Sequence, residues 1–250
     1  MIREVPTTGA PSIVAPKFNC DNQLGDIPAP LPNTAFACGI FGSAGSGKTS
    51  LLMSLLTARK PNRVYRGVFE DAYFVIPPHS RASLATSLFK DHPEDKIYDD
   101  LDAPTLTEIL EKAKAAAEDG YNTLIVIDDH TASLKDKEVE KLLRRIIFNR
   151  RHYHISLFIL AQTYNSVPLA LRKTLSHFFA FRPVNKKEIE SIFSELVFQP
   201  KSIADEILRY TFKQKRDFLF GNATTGELYR NFSKLILTDG HSDAESDPEH

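Results

Sequence analysis

Apolar and polar positions alternate along this chain in blocks that predict strands and helices in turn. Short apolar runs predict buried strands at residues 36–41, 68–76, 123–127, 155–160 and 177–181. Helical spacing of apolar residues predicts helices at 50–56, 80–90, 105–118, 136–150, 169–175, 185–197 and after Pro200. Strands that alternate with helices predict an α/β fold, with a mainly parallel central sheet and helices on both of its faces.

Polar signals refine the boundaries of these elements. Thr105 with Glu108, and Asn185 with Glu188, have the spacing of capping boxes, which predicts a helix start at each. Near the carboxyl end, residues 217–221 and 227–230 flank a Gly-containing turn and predict a β-hairpin.

One turn between a predicted strand and a predicted helix has the full form of a phosphate-binding loop. The pattern G-x-x-x-x-G-K-[ST] is matched by Gly42, Ser43, Ala44, Gly45, Ser46, Gly47, Lys48 and Thr49, and Ser50 continues into the helix. The glycines let backbone N–H groups surround a triphosphate, and the helix amino terminus adds its positive dipole end. Lys48 would reach the β- and γ-phosphates, and the Thr49 hydroxyl would hold Mg²⁺. The sequence therefore predicts a nucleoside triphosphate-binding protein.

Carboxylates follow the most apolar predicted strand, and an amide follows the next strand. Asp128 is predicted to order the Mg²⁺ shell, and Asp129 to orient and deprotonate the attacking water, which favours hydrolysis. The alternative is that Asp129 only caps the following turn. Gln162 is suited to sensing the γ-phosphate or the lytic water. All three lie at predicted carboxyl ends of strands, where such sheets bind ligands.

Hydrolysis also calls for an arginine near the γ-phosphate, because negative charge develops there and a neighbouring subunit can donate the compensating cation. Arg150, Arg151 and Arg172 are the candidates, and Arg172 is preferred. The alternative for each is a surface charge or a contact to DNA.

Composition and charge bound the organisation of the chain. With 250 residues, 42% hydrophobic and 25% charged, the sequence suits one large globular domain. Residues 1–34 hold six prolines and predict an extended arm, residues 35–238 the ATPase domain, and residues 239–250 a disordered acidic tail. Because there are two cysteines, no secretory signal and no apolar run of membrane-spanning length, an intracellular protein is expected.

The predicted domain carries 29 basic and 24 acidic residues, a net charge of +5 that is compatible with a polyanionic partner. Two basic clusters stand out: Lys141, Arg144, Arg145, Arg150 and Arg151 in the first, and Lys213, Lys215 and Arg216 in the second. Either cluster could contact DNA phosphates or simply form a solvated face.

The combined motifs resemble the genome-packaging ATPases of large DNA viruses and their virophages, which belong to the FtsK–HerA superfamily. The resemblance spans about residues 35–182. It is carried by the phosphate loop with Phe41 before it, residues 125–130, Arg151 with His152, residues 161–163 and residues 168–172. Much of the wider superfamily has Asp-Glu where this chain has Asp128 and Asp129.

This resemblance implies a RecA/FtsK-like fold and an ATPase with ATP and Mg²⁺ as cofactors. It also implies a homo-oligomeric ring, hexameric or pentameric, that translocates double-stranded DNA into a preformed capsid and contacts capsid proteins. The implied location is the host cytoplasm, the viral factory or the virion.

Two other functions stay open from the sequence. The first is a small-molecule P-loop kinase such as a nucleoside kinase, which would require an arginine-rich lid and a base-binding pocket. The second is a non-catalytic module in which ATP only locks an assembly. Asp128, Asp129 and Gln162 argue against the second, because a scaffold needs no water-activating acid.

Overall fold

A nine-stranded sheet runs through the computed structural model, which describes residues 22–83, 89, 92–183, 185–197 and 201–236. The strands are β1 (Ala37–Phe41), β2 (Asp71–Val75), β3 (Ile97–Tyr98), β4 (Thr123–Asp128), β5 (Ile155–Ala161), β6 (His177–Phe181), β7 (Phe218–Asn222), β8 (Leu228–Arg230) and β9 (Ser233–Lys234). Their spatial order is β3-β2-β4-β5-β1-β6-β7-β8-β9. Neighbouring strands are parallel from β3 to β6 and antiparallel from β6 to β9. The predicted α/β fold with a mainly parallel sheet and a terminal hairpin is confirmed.

Helices connect successive strands from β1 to β7. They are α1 (Lys48–Thr57), α2 (Pro78–Ser83), α3 (Ala103–Glu118), α4 (Lys137–Phe148), α5 (Leu169–Arg172), α6 (Lys186–Ile192) and α7 (Lys201–Thr211). A five-residue π-helical segment, Phe193–Val197, continues α6. Such segments are rare and often occur at functional sites.

Alternate residues of each central strand enter two separate cores, one on each face of the sheet. On β4, Ile125 and Ile127 face the core formed with α3 and α4, whereas Leu124 and Val126 face the core that contains the buried residues of α1. Because both faces are covered, the strand is apolar throughout rather than alternating, which is the pattern that predicted it.

The segment before β1 packs on the α1 side of the sheet. Leu24 and Leu31 are buried in that core, and Gln23 pairs with Thr34 in an antiparallel bridge. Residues 22–34, which the sequence analysis assigned to the arm, therefore contact the domain directly. The rest of the proposed arm and the acidic tail lie outside the described residues.

The two predicted capping boxes are not observed in full. Helix α3 begins at Ala103 and is capped by Asp102, whose side chain accepts a hydrogen bond from the Thr105 N–H at 2.8 Å. The predicted cap at Thr105 is wrong because Asp102 caps the helix three residues earlier, which places Thr105 inside the first turn. Asn185 caps α6 as predicted, but the Glu188 carboxylate accepts from the Tyr164 N–H instead of returning to the cap.

Three smaller differences concern short or partly described segments. Strands β3 and β9, each of two residues, were not predicted. The helix predicted at 80–90 is observed as α2, and residues 84–88, 90 and 91 lie outside the described part of the chain.

The turn between α7 and β7 is fixed by one buried carboxylate. Asp217 Oδ2 accepts from the backbone N–H of Lys213 at 3.1 Å and of Gln214 at 2.8 Å. The same carboxylate accepts from Arg230 Nη2 at 3.0 Å and Asn231 Nδ2 at 3.1 Å. Burial opposes ionisation, but these donors outweigh it and lower the pKa of Asp217 to about 2.

Asp217→Asn is therefore expected to lower the free energy of unfolding at pH 7 by about 2 kcal/mol. A folded-state pKa below the unfolded value means that the ionised form stabilises the fold above about pH 4 and that this contribution fades as the pH falls towards 2. Urea unfolding at pH 7, 5 and 3.5 would measure the effect, with exposed Asp205→Asn as the matched control. A loss that is equal at all three pH values would contradict an electrostatic origin.

Candidate active site

The phosphate-binding loop joins the carboxyl end of β1 to α1. Gly45 (φ 73°) and Gly47 (φ 114°) have left-handed backbone conformations, which favour glycine. At Gly42 the chain packs closely, because an added Cβ would lie 2.7 Å from both Phe181 Cβ and Ser46 Oγ. These glycines are required by backbone shape, which is the reason the motif could be found from sequence alone.

Lys48 lies in the first turn of α1 with its ammonium turned back over the loop. Nζ donates to the Gly42 carbonyl at 2.6 Å and to the Ser43 carbonyl at 3.2 Å. Burial lowers the pKa of Lys48, and the neighbouring Asp128 and Asp129 carboxylates partly oppose that shift. The ammonium is thus held inside the loop by acceptors that a phosphate group could replace.

Asp128 is the last residue of β4 and Asp129 follows it, and their environments differ. Asp128 is 8% exposed, and burial raises its pKa to about 6, although Lys48 acts in the opposite direction. Asp129 is half-buried, with a left-handed backbone conformation (φ 58°) that is uncommon outside glycine and is most tolerated by Asn and Asp. Strain of this kind often occurs at functional sites.

Gln162 contacts Asp129 directly. Its Nε2 donates to Asp129 Oδ1 at 3.3 Å, and the strand register explains why. Leu160 on β5 pairs with Asp128 on β4, so Asp129 lies level with Ala161, and Gln162 is only one residue further along the neighbouring strand. The side chains predicted at separate strand ends are therefore brought together.

These residues line one cleft of about 180 Å³ at the carboxyl edge of the sheet. Its walls include Lys48, Thr49, Asp128, Asp129 and Gln162, together with the loop residues Ala44 and Gly45. Ser80 on α2 also lines the cleft and was not identified from the sequence. No sequence signal marked Ser80, because the path of the chain after β2 places it there.

The donor set at this cleft fits a small divalent cation. The Thr49 hydroxyl and the Asp128 carboxylate are hard oxygen donors of the kind that Mg²⁺ prefers together with substrate phosphates. Asp128 has its positive neighbour in Lys48, whose charge alone does not overcome the cost of burial. A cation at Asp128 would favour the ionised carboxylate.

Arg172 is engaged within its own chain. Its guanidinium donates to Glu195 Oε1 at 2.9 Å and Asn165 Oδ1 at 2.7 Å, and it stacks 4.6 Å from the centre of the Tyr164 ring. The residue is only 8% exposed. Donation of Arg172 to a neighbouring subunit would require these contacts to break, and the preference for Arg172 as the arginine acting in trans stays a prediction.

Arg172 is part of a polar cluster next to the active site. Tyr164, two residues after Gln162, donates its hydroxyl to Glu195 Oε2 at 2.8 Å and its backbone N–H to Glu188 Oε1 at 2.7 Å. Glu195 lies in the π-helical segment, so the cluster ties the end of β5 to the end of α6.

The other two candidate arginines lie at the opposite edge of the sheet. Arg150 donates to the carbonyls of Ala35 at 3.2 Å and Ile147 at 2.9 Å. Arg151 is exposed. Both residues precede β5, and so they lie away from the cleft of their own chain.

Two larger clefts, of about 660 and 510 Å³, are found elsewhere in the described residues. The larger one is lined by Glu70 and Asn122, which precede β2 and β4. It therefore lies at the amino edge of the parallel strands, whereas ligands of such sheets bind at the carboxyl edge. Its size does not make it the active site.

Comparison with known proteins identifies the family. The sequence profile described as Poxvirus A32 protein matches residues 29–216, well over half of the chain. The chain belongs to the Poxvirus A32 protein family. The resemblance drawn from the motifs is confirmed at this level. The matched region of this A32 family member includes residues 29–34, which precede the predicted domain start at residue 35.

Solved structures support the fold of this A32 family member. The DNA-packaging ATPase B204 from Sulfolobus turreted icosahedral virus superposes with a TM-score of 0.58 at 14% identity, covering 78% of this chain and 95% of that one. The genome-packaging NTPase B204 from Sulfolobus turreted icosahedral virus 2, in complex with sulfate, superposes with a TM-score of 0.56 at 16% identity, covering 82% and 98%. The same NTPase in complex with AMP gives 0.54 at 14% identity, covering 81% and 98%.

A search among curated proteins gave no match. In the part of the A32 family chain that the structure describes, no helix is both long and apolar enough to cross a membrane.

Proposed function

We propose that this A32 family protein is an ATP-hydrolysing motor that moves double-stranded viral DNA into a preformed capsid. The observation that carries the proposal is the contact between Gln162 and Asp129 beside Lys48, in a fold shared with viral packaging NTPases. A water-activating carboxylate oriented by an amide, next to a phosphate loop, suits hydrolysis better than transfer to a small acceptor.

In this proposal each cleft residue has a distinct role. Lys48 releases the carbonyls of Gly42 and Ser43 and binds the β- and γ-phosphates. Asp129 accepts the proton of the attacking water, and Gln162 holds that carboxylate in place. Backbone N–H groups of Gly42–Ser50 bind the phosphate oxygens. Thr49 and Asp128 would hold Mg²⁺, which supplies positive charge to the phosphates.

The arginine that acts in trans is better assigned to Arg151 than to Arg172. Arg151 is exposed, whereas Arg172 is buried. Because Arg151 precedes β5, at the edge of the sheet opposite its own cleft, it could serve only the cleft of another subunit. This assignment assumes a homo-oligomeric ring, hexameric or pentameric.

DNA contact is assigned to exposed basic side chains, since packaging requires a grip on phosphates that does not depend on base sequence. In the first basic cluster, Lys141, Arg144 and Arg145 on α4 are exposed, and in the second, Lys213 and Lys215 are exposed. Capsid proteins are the expected docking partners, in the cytoplasm or factory of an infected cell or in the virion.

Steady-state ATP hydrolysis with and without double-stranded DNA tests the proposal. We expect DNA to raise the turnover rate and added salt to reduce that stimulation, because contacts to phosphates release counterions. Asp129→Asn serves as the inactive control. Activity that ignores DNA but rises with a nucleoside acceptor would instead support the kinase alternative.

A further inference from the structure

Arg216 lies beside the phosphate loop, although it is distant in sequence. A Cβ built on Gly47 would lie 3.8 Å from Arg216 Cγ and 3.3 Å from Phe181 Cε1. Only the Cγ of Arg216 takes part in that contact, and its guanidinium carbon lies three bonds further along the side chain. The arginine is thus carried at the amino terminus of α1 by the turn that precedes β7.

The backbone that carries Arg216 is held in an unusual conformation. Arg216 has φ 79°, a left-handed value that is uncommon for a long side chain. The next residue, Asp217, fixes this turn through the four hydrogen bonds described above. A conformation that costs free energy and is imposed by its surroundings is typical of residues held for a function.

The Arg216 guanidinium is not used to stabilise the described fold. Its side chain is exposed, and no ion pair, hydrogen bond or ring contact to it occurs among the described residues. Two nearby cations are engaged: Lys213 Nζ lies 3.9 Å from the centre of the Tyr210 ring, and Lys48 binds loop carbonyls. Arg216 therefore presents five unused donors next to a phosphate-binding loop.

Strand order determines which end of a nucleotide would meet Arg216. In the sheet, β4 and β5 lie on one side of β1 and β6 lies on the other. Asp129 follows β4 and Gln162 follows β5, so the γ-phosphate must point to that side. Phe181, the last residue of β6, packs on the loop from the opposite side together with Arg216.

The size of the cleft leads to the same conclusion. At about 180 Å³ it is smaller than a typical whole-ligand pocket of about 300–1,000 Å³, so it suits the phosphates but not the nucleoside. The nucleoside must then extend over the loop towards β6, where Arg216 lies.

We propose that Arg216 binds the nucleoside end of ATP, through the α-phosphate and ribose, and so acts as a nucleotide-binding residue within its own subunit. This assignment rests on the nucleotide site of the proposed function, but it does not depend on DNA or on a ring. It also removes Arg216 from the cluster considered for DNA contact, leaving Lys213 and Lys215.

Nucleotide affinity of the full chain, without DNA, tests this assignment. Displacement of a fluorescent ATP analogue by ATP, AMP and pyrophosphate, which carries only the equivalent of the β- and γ-phosphates, separates the two ends of the ligand. Arg216→Gly is the informative variant because glycine accepts φ 79° without strain, and thermal unfolding should show no loss of stability. Arg59→Ala removes an exposed arginine just beyond the carboxyl end of α1, away from the phosphate loop, and is the matched control.

We expect Arg216→Gly to weaken ATP and AMP binding about tenfold each, the size of one charge-assisted hydrogen bond, and Arg59→Ala to weaken neither. Pyrophosphate binding should change less than about twofold, because pyrophosphate has neither the α-phosphate nor the ribose. Arg216→Lys should recover part of the affinity by restoring the charge without the planar fork.

Equal weakening of ATP and pyrophosphate would overturn the assignment, since Arg216 would then act at the β- and γ-phosphates. Unchanged affinity for ATP and AMP would overturn it as well. Lys48→Ala separates this failure from failure of the site itself: if Lys48→Ala also leaves ATP binding unchanged, the nucleotide site of the proposed function is wrong. Loss of affinity in Arg216→Gly without DNA-stimulated hydrolysis in the wild type would keep the assignment and reject the motor.

Discussion

Asp129→Asn should reduce kcat for ATP hydrolysis by about 10³-fold while leaving the Kd of ATP within about threefold of the wild type. Asparagine has the same shape, tolerates the left-handed backbone at φ 58° and can still accept the hydrogen bond from Gln162. It lacks only the ability to accept a proton from water. The loss should therefore appear in the chemical step and not in folding or binding.

Single-turnover hydrolysis and equilibrium ATP binding separate these effects, and Asp128→Asn is the matched comparison. Asp128 is assigned to Mg²⁺, so its variant should raise the Mg²⁺ concentration needed for half-maximal activity. If Asp129→Asn keeps more than about a tenth of the wild-type kcat, the alternative that Asp129 only caps the turn after β4 is the better explanation.

Arg172→Ala should lower the free energy of unfolding by about 3–5 kcal/mol, because it leaves a carboxylate without its partner at a buried position. The side chains of Arg172 and Glu195 are only 10% and 16% exposed. The substitution also removes the cation stacked on Tyr164, two residues from Gln162. Urea unfolding measures the loss, and Lys141→Ala, from an ion pair exposed by 77% and 68%, should cost less than about 1 kcal/mol.

Glu195→Gln offers a milder test if Arg172→Ala does not fold. The glutamine removes the charge, but its Oε1 can still accept from Arg172, and its amide can donate to the Tyr164 hydroxyl in place of the bond that Oε2 accepts. A smaller loss of about 1–2 kcal/mol is therefore expected. The opposite result would be a stable Arg172→Ala variant that is inactive alone and regains hydrolysis when mixed with Lys48→Ala subunits. That complementation would restore Arg172 as the arginine acting in trans.

The sequence revealed the parts of the site that depend on local rules. The phosphate loop is contiguous, and its glycines are demanded by backbone geometry within eight residues. Asp128 and Asp129 are distant in sequence from Gln162, but their proximity in space could be predicted because the carboxyl ends of parallel strands meet at one edge of the sheet. Their roles stay proposals, but their proximity in the fold follows from a general property of parallel sheets.

Features that depend on tertiary contacts were not predictable. Arg172 was interpreted as available because its partner, Glu195, comes 23 residues later, after β6 and α6. Arg216 was counted only as one charge in a basic cluster, since nothing local shows that Asp217, Arg230 and Asn231 turn it towards Gly47. The cap of α3 was placed at Thr105 because two polar residues three positions apart could serve, and only packing selects Asp102.

The two terminal strands of the sheet limit how subunits can join. β3 and β9 have two residues each, so a second chain that added a strand at either described edge would gain very few backbone hydrogen bonds. Assembly by continuing the sheet from one subunit into the next is therefore disfavoured. In the proposed ring, the described residues would then meet a neighbouring subunit mainly through side chains on loops and helices, and such contacts can re-form between steps without breaking a shared β-ladder.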